Sequence, residues 1–188
     1  MVKFETAIDR EMLTRLSGNA KEIEIIFSDY LSLLKQGRQK YANDQQIQYQ
    51  LMFSEKEPLK EAAINWVKQD RATSYAFFNR QGRMLVRVTE NSRGQVDSIF
   101  ASQKAVMLAE KYVQHLEKYG ELAIINTEDS GKISLILVSR ILNLKRRNVG
   151  YLEQVIELDS AFLRRLKERM KLELMFAKES GQAVLATN

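Results

Sequence analysis

Apolar side chains recur at steps of three and four along residues 4–36, which places them on one stripe of an α-helix. Gly18 lies within this stretch and weakens such a helix by about 1 kcal/mol relative to Ala without ending it. At 1.5 Å per residue the helix would be roughly 50 Å long, which exceeds the diameter of a domain of this size. We therefore expect part of the stripe to pack on something beyond the domain, most simply a second copy of the helix. The stripe comprises Phe4, Ile8, Met12, Leu16, Ile23, Ile26, Phe27, Tyr30, Leu33 and Leu34.

The next part of the chain is polar and then helical again. Residues 37–53 are rich in Gln and carry apolar side chains spaced for a further helical stretch. Residues 54–57 read Ser-Glu-Lys-Glu, which has the form of a capping box. Pro58, the only proline, fits a first helical turn. We therefore predict a short helix that begins at this box and continues through Trp66 and Val67.

The pattern then changes from helical to alternating. Residues 73–78 are β-branched and aromatic, residues 79–82 form a polar turn that ends in Gly, and residues 83–88 alternate between apolar and polar. Together they predict a β-hairpin. A loop over 90–95 follows.

A second amphipathic helix is predicted from Ile99 to Tyr119. Asp97 or Ser98 provides a capping side chain at its start, and Gly120 stands where a helix commonly ends. Its apolar stripe consists of Ile99, Val106, Ala109, Tyr112, Val113 and Leu116.

Three further strands are predicted at 121–126, 132–143 and 151–158. The middle strand is apolar on both faces over 133–138, so we expect it in the interior of the sheet. A basic loop at 144–150 precedes the third strand.

The chain closes with a short helix at 160–170, capped by Asp159, and a hairpin of strands 172–177 and 182–186. Antiparallel strands interrupted by helices indicate an α+β fold. We divide the chain at residue 57, with a helical stalk and linker over 1–57 and a folded domain over 58–188.

This order of elements resembles the Cache, CHASE and other PAS-like sensor domains of bacterial receptors. Residues 75–83 are similar to the opening strand, polar turn and strand of that family. Residues 139–142 lie where the central strand of the family often reads Arg-Pro-Ile, although the proline is missing here. Residues 149–163 resemble its element of Gly, apolar strand, Leu-Asp and a helix with Phe-Leu. Residues 181–187 resemble its closing Gly, strand and Leu-Ala-Thr.

The resemblance implies a long N-terminal helix packed on a PAS/Cache-like antiparallel sheet. It also implies a periplasmic domain held between two membrane spans, with a histidine kinase, cyclic-nucleotide enzyme or chemoreceptor as output. In such folds a small molecule binds over one sheet face. Carried onto this chain, that site comprises Tyr75, Phe77, Arg87, Tyr112, Ser139 and Arg140.

Arg140 is the sharpest of these candidates, because a guanidinium at the end of an apolar strand needs an anionic partner. That partner is either the carboxylate of an anionic ligand or an internal Asp or Glu. Tyr75 and Phe77 have an alternative role as core residues. Trp66 either forms a wall of the pocket or anchors its helix to the sheet, and we favour the anchor.

Composition limits the kinds of partner and site that the chain can have. The chain carries a formal net charge of +5, but its basic residues are mixed with acidic ones except at 145–147 and 164–171. These runs are solvated surfaces or a patch for an anionic partner, and we expect no nucleic-acid partner. The absence of Cys excludes disulfides and thiolate chemistry. His115, the only histidine, flanks an apolar stripe as a rim residue would. No catalytic motif is present, so we expect no enzyme, metal or cofactor.

Three functions are compatible with these observations. The first is an extracytoplasmic sensor that binds a small ligand and signals through the helix of residues 4–36, as a homodimer joined by that helix. The second is a ligand-free module of the same shape, used for dimerisation or for docking a partner protein. The third is a soluble cytoplasmic protein that uses the helix as a coiled-coil-like handle.

Overall fold

A computed structural model describes residues 2–70, 72–91, 93–100, 106–128, 132–160, 162–164, 168, 175–177 and 183–186. The helices are α1 (Val2–Ala42), α2 (Gln45–Phe53), α3 (Lys56–Gln69) and α4 (Glu110–Tyr119). The strands are β1 (Ser74–Asn79), β2 (Met84–Glu90), β3 (Val96–Phe100), β4 (Glu121–Thr127), β5 (Ile133–Leu142), β6 (Asn148–Glu157), β7 (Met175–Ala177) and β8 (Ala183–Ala186). The chain divides into two compact units, Met1–Tyr41 and Ala42–Asn188.

The first unit consists of α1 up to Tyr41, and the last residue of the helix, Ala42, belongs to the second unit. This helix confirms the predicted N-terminal helix and extends it to Ala42. Its 41 residues correspond to roughly 60 Å of helix. Gly18 and Gly37 do not interrupt it, and a Cβ at either position would have no neighbour within 4 Å. No described helix, α1 included, is both long and apolar enough to span a bilayer.

The second unit is built on a six-stranded sheet with the order β3-β2-β1-β6-β5-β4. Every neighbouring pair is antiparallel. The predicted hairpin of β1 and β2 and the predicted run of three strands β4, β5 and β6 are both confirmed. β5 lies between β4 and β6, which agrees with the interior position that its apolar sequence predicted.

One face of the sheet is covered by α3. The Trp66 ring meets Tyr75 edge-on at 5.6 Å between centroids and lies 5.5 Å from the ring of Phe77. Tyr75 and Phe77 are fully buried. Trp66 therefore anchors the helix to the sheet, as the sequence favoured, because burying such aromatic surface stabilises the packing of helix on strand.

The opposite face has a smaller core beneath α4. Ala76, Phe78, Val138 and Tyr151 of the sheet cluster there with Leu116 of the helix. Gly120 ends α4 with a φ of 82°, a conformation that glycine adopts without steric cost. The predicted end of the helix is thus confirmed.

The predicted start of that helix is wrong. Residues Val96–Phe100 form β3, which pairs with β2 from Val86↔Phe100 to Glu90↔Val96. Backbone pairing along the exposed edge of β2 stabilises an extended conformation there, whereas the helical spacing of the side chains favoured a helix. The helix begins only at Glu110, after Ala109, which contributes no capping side chain.

The predicted capping box before α3 is also wrong. Ser54 adopts a left-handed conformation with φ 56° and ψ 38°, and it ends α2 rather than beginning α3. Glu55 precedes α3 without a side-chain cap, while Pro58 lies in the first turn as predicted.

At the C-terminal end, Asp159 accepts a hydrogen bond from the backbone N of Phe162 over 2.8 Å, which confirms the predicted cap. Residues 160, 162–164 and 168 are helical. β7 and β8 pair in antiparallel fashion, as predicted. The predicted turn at 178–181 lies outside the described residues.

Candidate ligand-binding cleft

Among the described residues, α4 covers only part of its face of the sheet. α4 has ten residues and is about 15 Å long, whereas the ten residues of β5 extend over about 33 Å. The uncovered part forms a cleft of about 1100 Å³, called the sheet cleft below. It is lined by Thr73, Ser74, Arg87, Thr89, Glu90, Asn91, Asn126, Glu128, Lys132, Ser134, Ile136, Glu153, Val155, Glu157 and Asp159.

A smaller cavity of about 260 Å³ adjoins the sheet cleft on the side of α4. Tyr112 of α4 and Leu108 contribute to its wall, together with Phe78 and Val138 of the sheet. The two cavities share the lining residues Arg87, Asn126, Ile136 and Glu153.

An ion pair lies where the two cavities adjoin. Arg87 donates from Nη2 to Oε1 of Glu153 over 2.7 Å. Both residues are register partners of Ala76, Arg87 on β2 and Glu153 on β6, so the two side chains meet across β1. The methyl group of Ala76 leaves room for this contact.

Glu153 is only 9% exposed. Burial raises the pKa of its carboxyl group above the usual 4.5, and the charge and hydrogen bond of Arg87 oppose that rise. Arg87 Nε is also buried, and no described group provides it with a hydrogen-bond acceptor. The pair therefore retains hydrogen-bonding capacity on the cation side.

Further polar groups surround this pair. Lys132 Nζ lies 3.7 Å from Glu157 Oε2, and both side chains are exposed. Ser74 donates to the backbone oxygen of Val88 over 2.9 Å. The cleft thus has a charged and hydroxyl-bearing lining, unlike the apolar core beneath α4.

The structure separates the six predicted site residues. Arg87 lines both cavities and Tyr112 lines the smaller one. Tyr75 and Phe77 lie on the opposite face beneath α3, and Ser139 shares that face because its register partner Leu152 also pairs with Phe77. Three of the six therefore lie on the sheet face opposite the sheet cleft.

Arg140 has an internal partner. Its Nη1 donates to the backbone oxygen of Glu117 over 2.6 Å and to the side-chain Oε2 over 3.1 Å. This contact corresponds to the internal carboxylate that the sequence left open as an alternative. Arg140 does not contribute to either cavity wall.

Glu117 connects α4 to two strands. Its Oε1 accepts from Asn148 Nδ2 over 2.6 Å and from the Tyr151 hydroxyl over 2.8 Å. Partial burial alone would raise the pKa of Glu117, but the hydrogen bonds from Tyr151, Asn148 and Arg140 outweigh it and hold that pKa below 4.5. Burial, and then the neighbouring Glu117, raise the pKa of Tyr151 to about 12.

Sequence reasoning missed several residues of the cleft. Glu153 and Glu157 are charged side chains within an apolar strand, separated by an even number of positions. Such spacing places both on one face, and a carboxylate in a buried strand requires a partner. That signal could have identified them.

Within the described residues, no three or more His, Asp or Glu side chains are grouped so that they could hold a metal ion. His115 is exposed, and its ring lies 4.6 Å from that of Tyr119.

No protein-family model and no curated protein matches the sequence. Solved structures do match the fold. The sensory domain of a Campylobacter jejuni chemoreceptor is 14% identical, with a TM-score of 0.57, over 92% of this chain and 69% of that one. The periplasmic domain of Vibrio cholerae LuxQ is 13% identical, with a TM-score of 0.53, over 86% of this chain and 74% of that one.

A domain assigned to a sensory box/GGDEF family protein of Vibrio parahaemolyticus is 16% identical, with a TM-score of 0.54, over 84% of this chain. The chain spans 63% of the length of that domain. At these identities the likeness concerns the fold. The chain therefore has the PAS/Cache-like fold of bacterial extracytoplasmic sensor domains.

Proposed function

We propose that this chain is the extracytoplasmic sensor domain of a bacterial signal-transduction receptor, and that it binds a small ligand in the sheet cleft. The observation that carries this proposal is the cleft itself, with Arg87 and Glu153 at its floor. Removing two charges from water costs free energy that a purely structural sheet face would avoid by using apolar side chains. The cleft volume of about 1100 Å³ is slightly above the range of about 300–1,000 Å³ that is usual for small-molecule sites.

A solved structure of similar fold supports a small organic ligand. The ligand-binding domain of a Campylobacter jejuni chemoreceptor, with a TM-score of 0.51 and 13% identity, was determined in complex with L-valine. We propose the same class of ligand, a metabolite of low molecular mass, for this chain.

The signal would leave the cleft through β6 and α2. Glu153 faces the cleft from β6, and on the same strand Gly150 lies against Leu51 of α2. Gln48 of α2 donates from Nε2 to the backbone oxygen of Ala42, the last residue of α1, over 3.2 Å. A displacement of β6 on ligand binding would therefore reach Ala42, where the second unit begins. In this proposal residues 1–57 act as stalk and linker, and residues 58–188 act as the sensor.

We also propose that α1 joins two copies of the receptor and that membrane spans flank this sequence in the full-length protein. Ile25 and Leu33 of α1 are 60% and 69% exposed, which provides apolar surface for a partner helix. Analytical ultracentrifugation of the chain at high micromolar concentration tests the dimer. A monomer under those conditions would contradict it.

A thermal-shift screen tests ligand binding. Amino acids, amines and carboxylates are added to the purified chain, and a ligand of the native state raises the melting temperature, since a hundredfold excess over Kd stabilises by about 2.7 kcal/mol. Two matched variants on β4 locate the site. Asn126 lines both cavities, whereas Ile125 is exposed on the opposite face. Asn126→Trp should abolish the shift, and Ile125→Trp should leave it unchanged.

If no compound raises the melting temperature, the ligand-free dimerisation or docking module becomes the better description. If a compound raises it equally in both variants, binding occurs outside the cleft and the assignment of the site is wrong.

A further inference from the structure

The charge of the sheet cleft is opposite in sign to that of the chain. The whole chain carries a formal net charge of +5. The described residues that line the cleft include two cations, Arg87 and Lys132, and five carboxylates. This described lining therefore has three more carboxylates than cations. The carboxylates belong to Glu90, Glu128, Glu153, Glu157 and Asp159.

Both cations of the described lining already face a carboxylate of the cleft. Arg87 pairs with Glu153 at 2.7 Å, and Lys132 lies 3.7 Å from Glu157. Glu153 and Glu157 lie on the same face of β6, four residues apart, which corresponds to about 13 Å along the strand. The negative charge is thus distributed along the cleft rather than confined to one point.

Part of this charge is built into the floor. Glu153 is only 9% exposed, so solvent screens its charge less than that of a surface carboxylate. Arg87 Nε, buried beside it without an acceptor among the described residues, offers a donor to an incoming oxygen atom. The floor therefore combines the carboxylate of Glu153 with an unused guanidinium donor, Arg87 Nε.

We infer, resting on the proposed sensor function, that the sheet cleft selects ligands of net positive charge: diamines and cationic amino acids rather than dicarboxylates. Ammonium groups donate hydrogen bonds to the carboxylates, and a cleft lined by one sign of charge concentrates the opposite ion. A carbonyl or carboxylate oxygen of the ligand accepts from Arg87 Nε. The anionic ligand expected from Arg140 is not favoured, because that guanidinium bonds Glu117 outside the cleft.

Isothermal titration of the full chain with L-lysine, putrescine, L-glutamate and succinate tests this inference. L-lysine or putrescine should bind at least roughly tenfold more tightly than either anion, and high salt should weaken that binding. Glu157→Gln removes one cleft charge at a side chain that is 38% exposed, so the fold should persist. It should weaken cation binding several-fold, because it also leaves Lys132 without its partner.

Glu61→Gln on α3 is the matched control, because it makes the same change of net charge at an exposed position away from the cleft. If Glu157→Gln and Glu61→Gln changed the affinity for the cationic ligands equally, the inference would be overturned. Tighter binding of succinate or L-glutamate, lost in Asn126→Trp, would overturn the cationic preference while leaving the proposed sensor function intact. If none of the four compounds bound but some other anion gave a saturable thermal shift, the cationic preference would again be overturned and the proposed sensor function would stand. Absence of any ligand would overturn both.

Discussion

Arg87 and Glu153 form an ion pair across β1, although each belongs to a different neighbouring strand. The contact is possible because Ala76, the residue between them, has only a methyl side chain. A charged pair in this position marks the boundary between two regions of one sheet face. Beneath α4 lies an apolar core, and beyond the pair the face opens into the polar sheet cleft.

Replacing Arg87 should show how much free energy of unfolding is lost when the buried carboxylate of Glu153 has no cation beside it. Arg87→Ala leaves Glu153 without its cation, and we expect a loss of about 1–3 kcal/mol of stability near neutral pH. The double variant Arg87→Ala/Glu153→Gln should recover part of that loss, because it leaves no buried charge. Urea unfolding of both variants and of Glu153→Gln gives the coupling between the two residues.

The loss should also depend on pH. Because the pKa of Glu153 is raised, its contribution to stability is present below the unfolded value of 4.5 and is lost as pH rises through the folded pKa. Arg87→Ala raises that pKa further, so its destabilisation should shrink in acid. A loss that is independent of pH would contradict this account.

Arg140→Ala should separate stability from ligand binding. The variant loses the hydrogen bonds to Glu117, and we expect a cost of about 0.5–1.5 kcal/mol. Affinity for a ligand of the sheet cleft should be unchanged, because Arg140 lines neither cavity. Urea unfolding and isothermal titration measure the two quantities. Lost binding with a retained fold would instead return Arg140 to the ligand site.

Much of the fold could be predicted from local patterns, because most elements combine a clear period with suitable ends. β3 could not. Residues 99 and 106 continue the apolar stripe of α4, so the local signal favours one long helix. Only the need of β2 for a partner along its edge makes residues 96–100 extended, and that need is a property of the assembled sheet.

The site was harder to predict because it depends on two properties of the strands. The alternation of side chains along one strand can be read from the sequence, whereas the register between two strands cannot. Adjacent residues of a strand point to opposite faces, so Ser139 and Arg140 could not both line one cleft. The same alternation also places Tyr75 and Phe77 together. Whether Arg87 shares their face depends on the register of β2 against β1, which pairs Arg87 with Ala76. The sequence does not reveal that register.

Glu117 should make the stability of the protein sensitive to acid. Its pKa lies below 4.5, so its contribution is present above that value and is lost as pH falls through the folded pKa. Glu117→Gln should therefore be less stable than the wild type near neutral pH, and the two stabilities should converge in acid. Melting temperatures across this range test the prediction, with Glu61→Gln as a control for the removal of one exposed carboxylate charge. A constant difference would mean that the carboxylate charge of Glu117 does not contribute.

Gly150 should be intolerant of even a methyl group. A Cβ at this position would lie 2.4 Å from the backbone oxygen of Phe78 and 3.2 Å from Leu51 Cδ2. The leucine side chain can move, but the backbone oxygen belongs to the pairing of β1 with β6, which joins Asn79 to Gly150 and Phe78 to Tyr151. We therefore expect Gly150→Ala to cost about 1–3 kcal/mol, the usual range for overpacking.

Two comparisons distinguish that clash from a general effect of adding a methyl group. Gly37→Ala adds the same group to an open position of α1 and should stabilise the helix by about 0.5–1 kcal/mol. Leu51→Ala combined with Gly150→Ala relieves only the contact with the leucine side chain, so it should not restore the stability lost in Gly150→Ala. Urea unfolding of Gly150→Ala, Gly37→Ala, the double variant and Leu51→Ala alone measures these effects. If the double variant were as stable as Leu51→Ala alone, the clash would lie in the contact between α2 and β6, and β1 would not be involved.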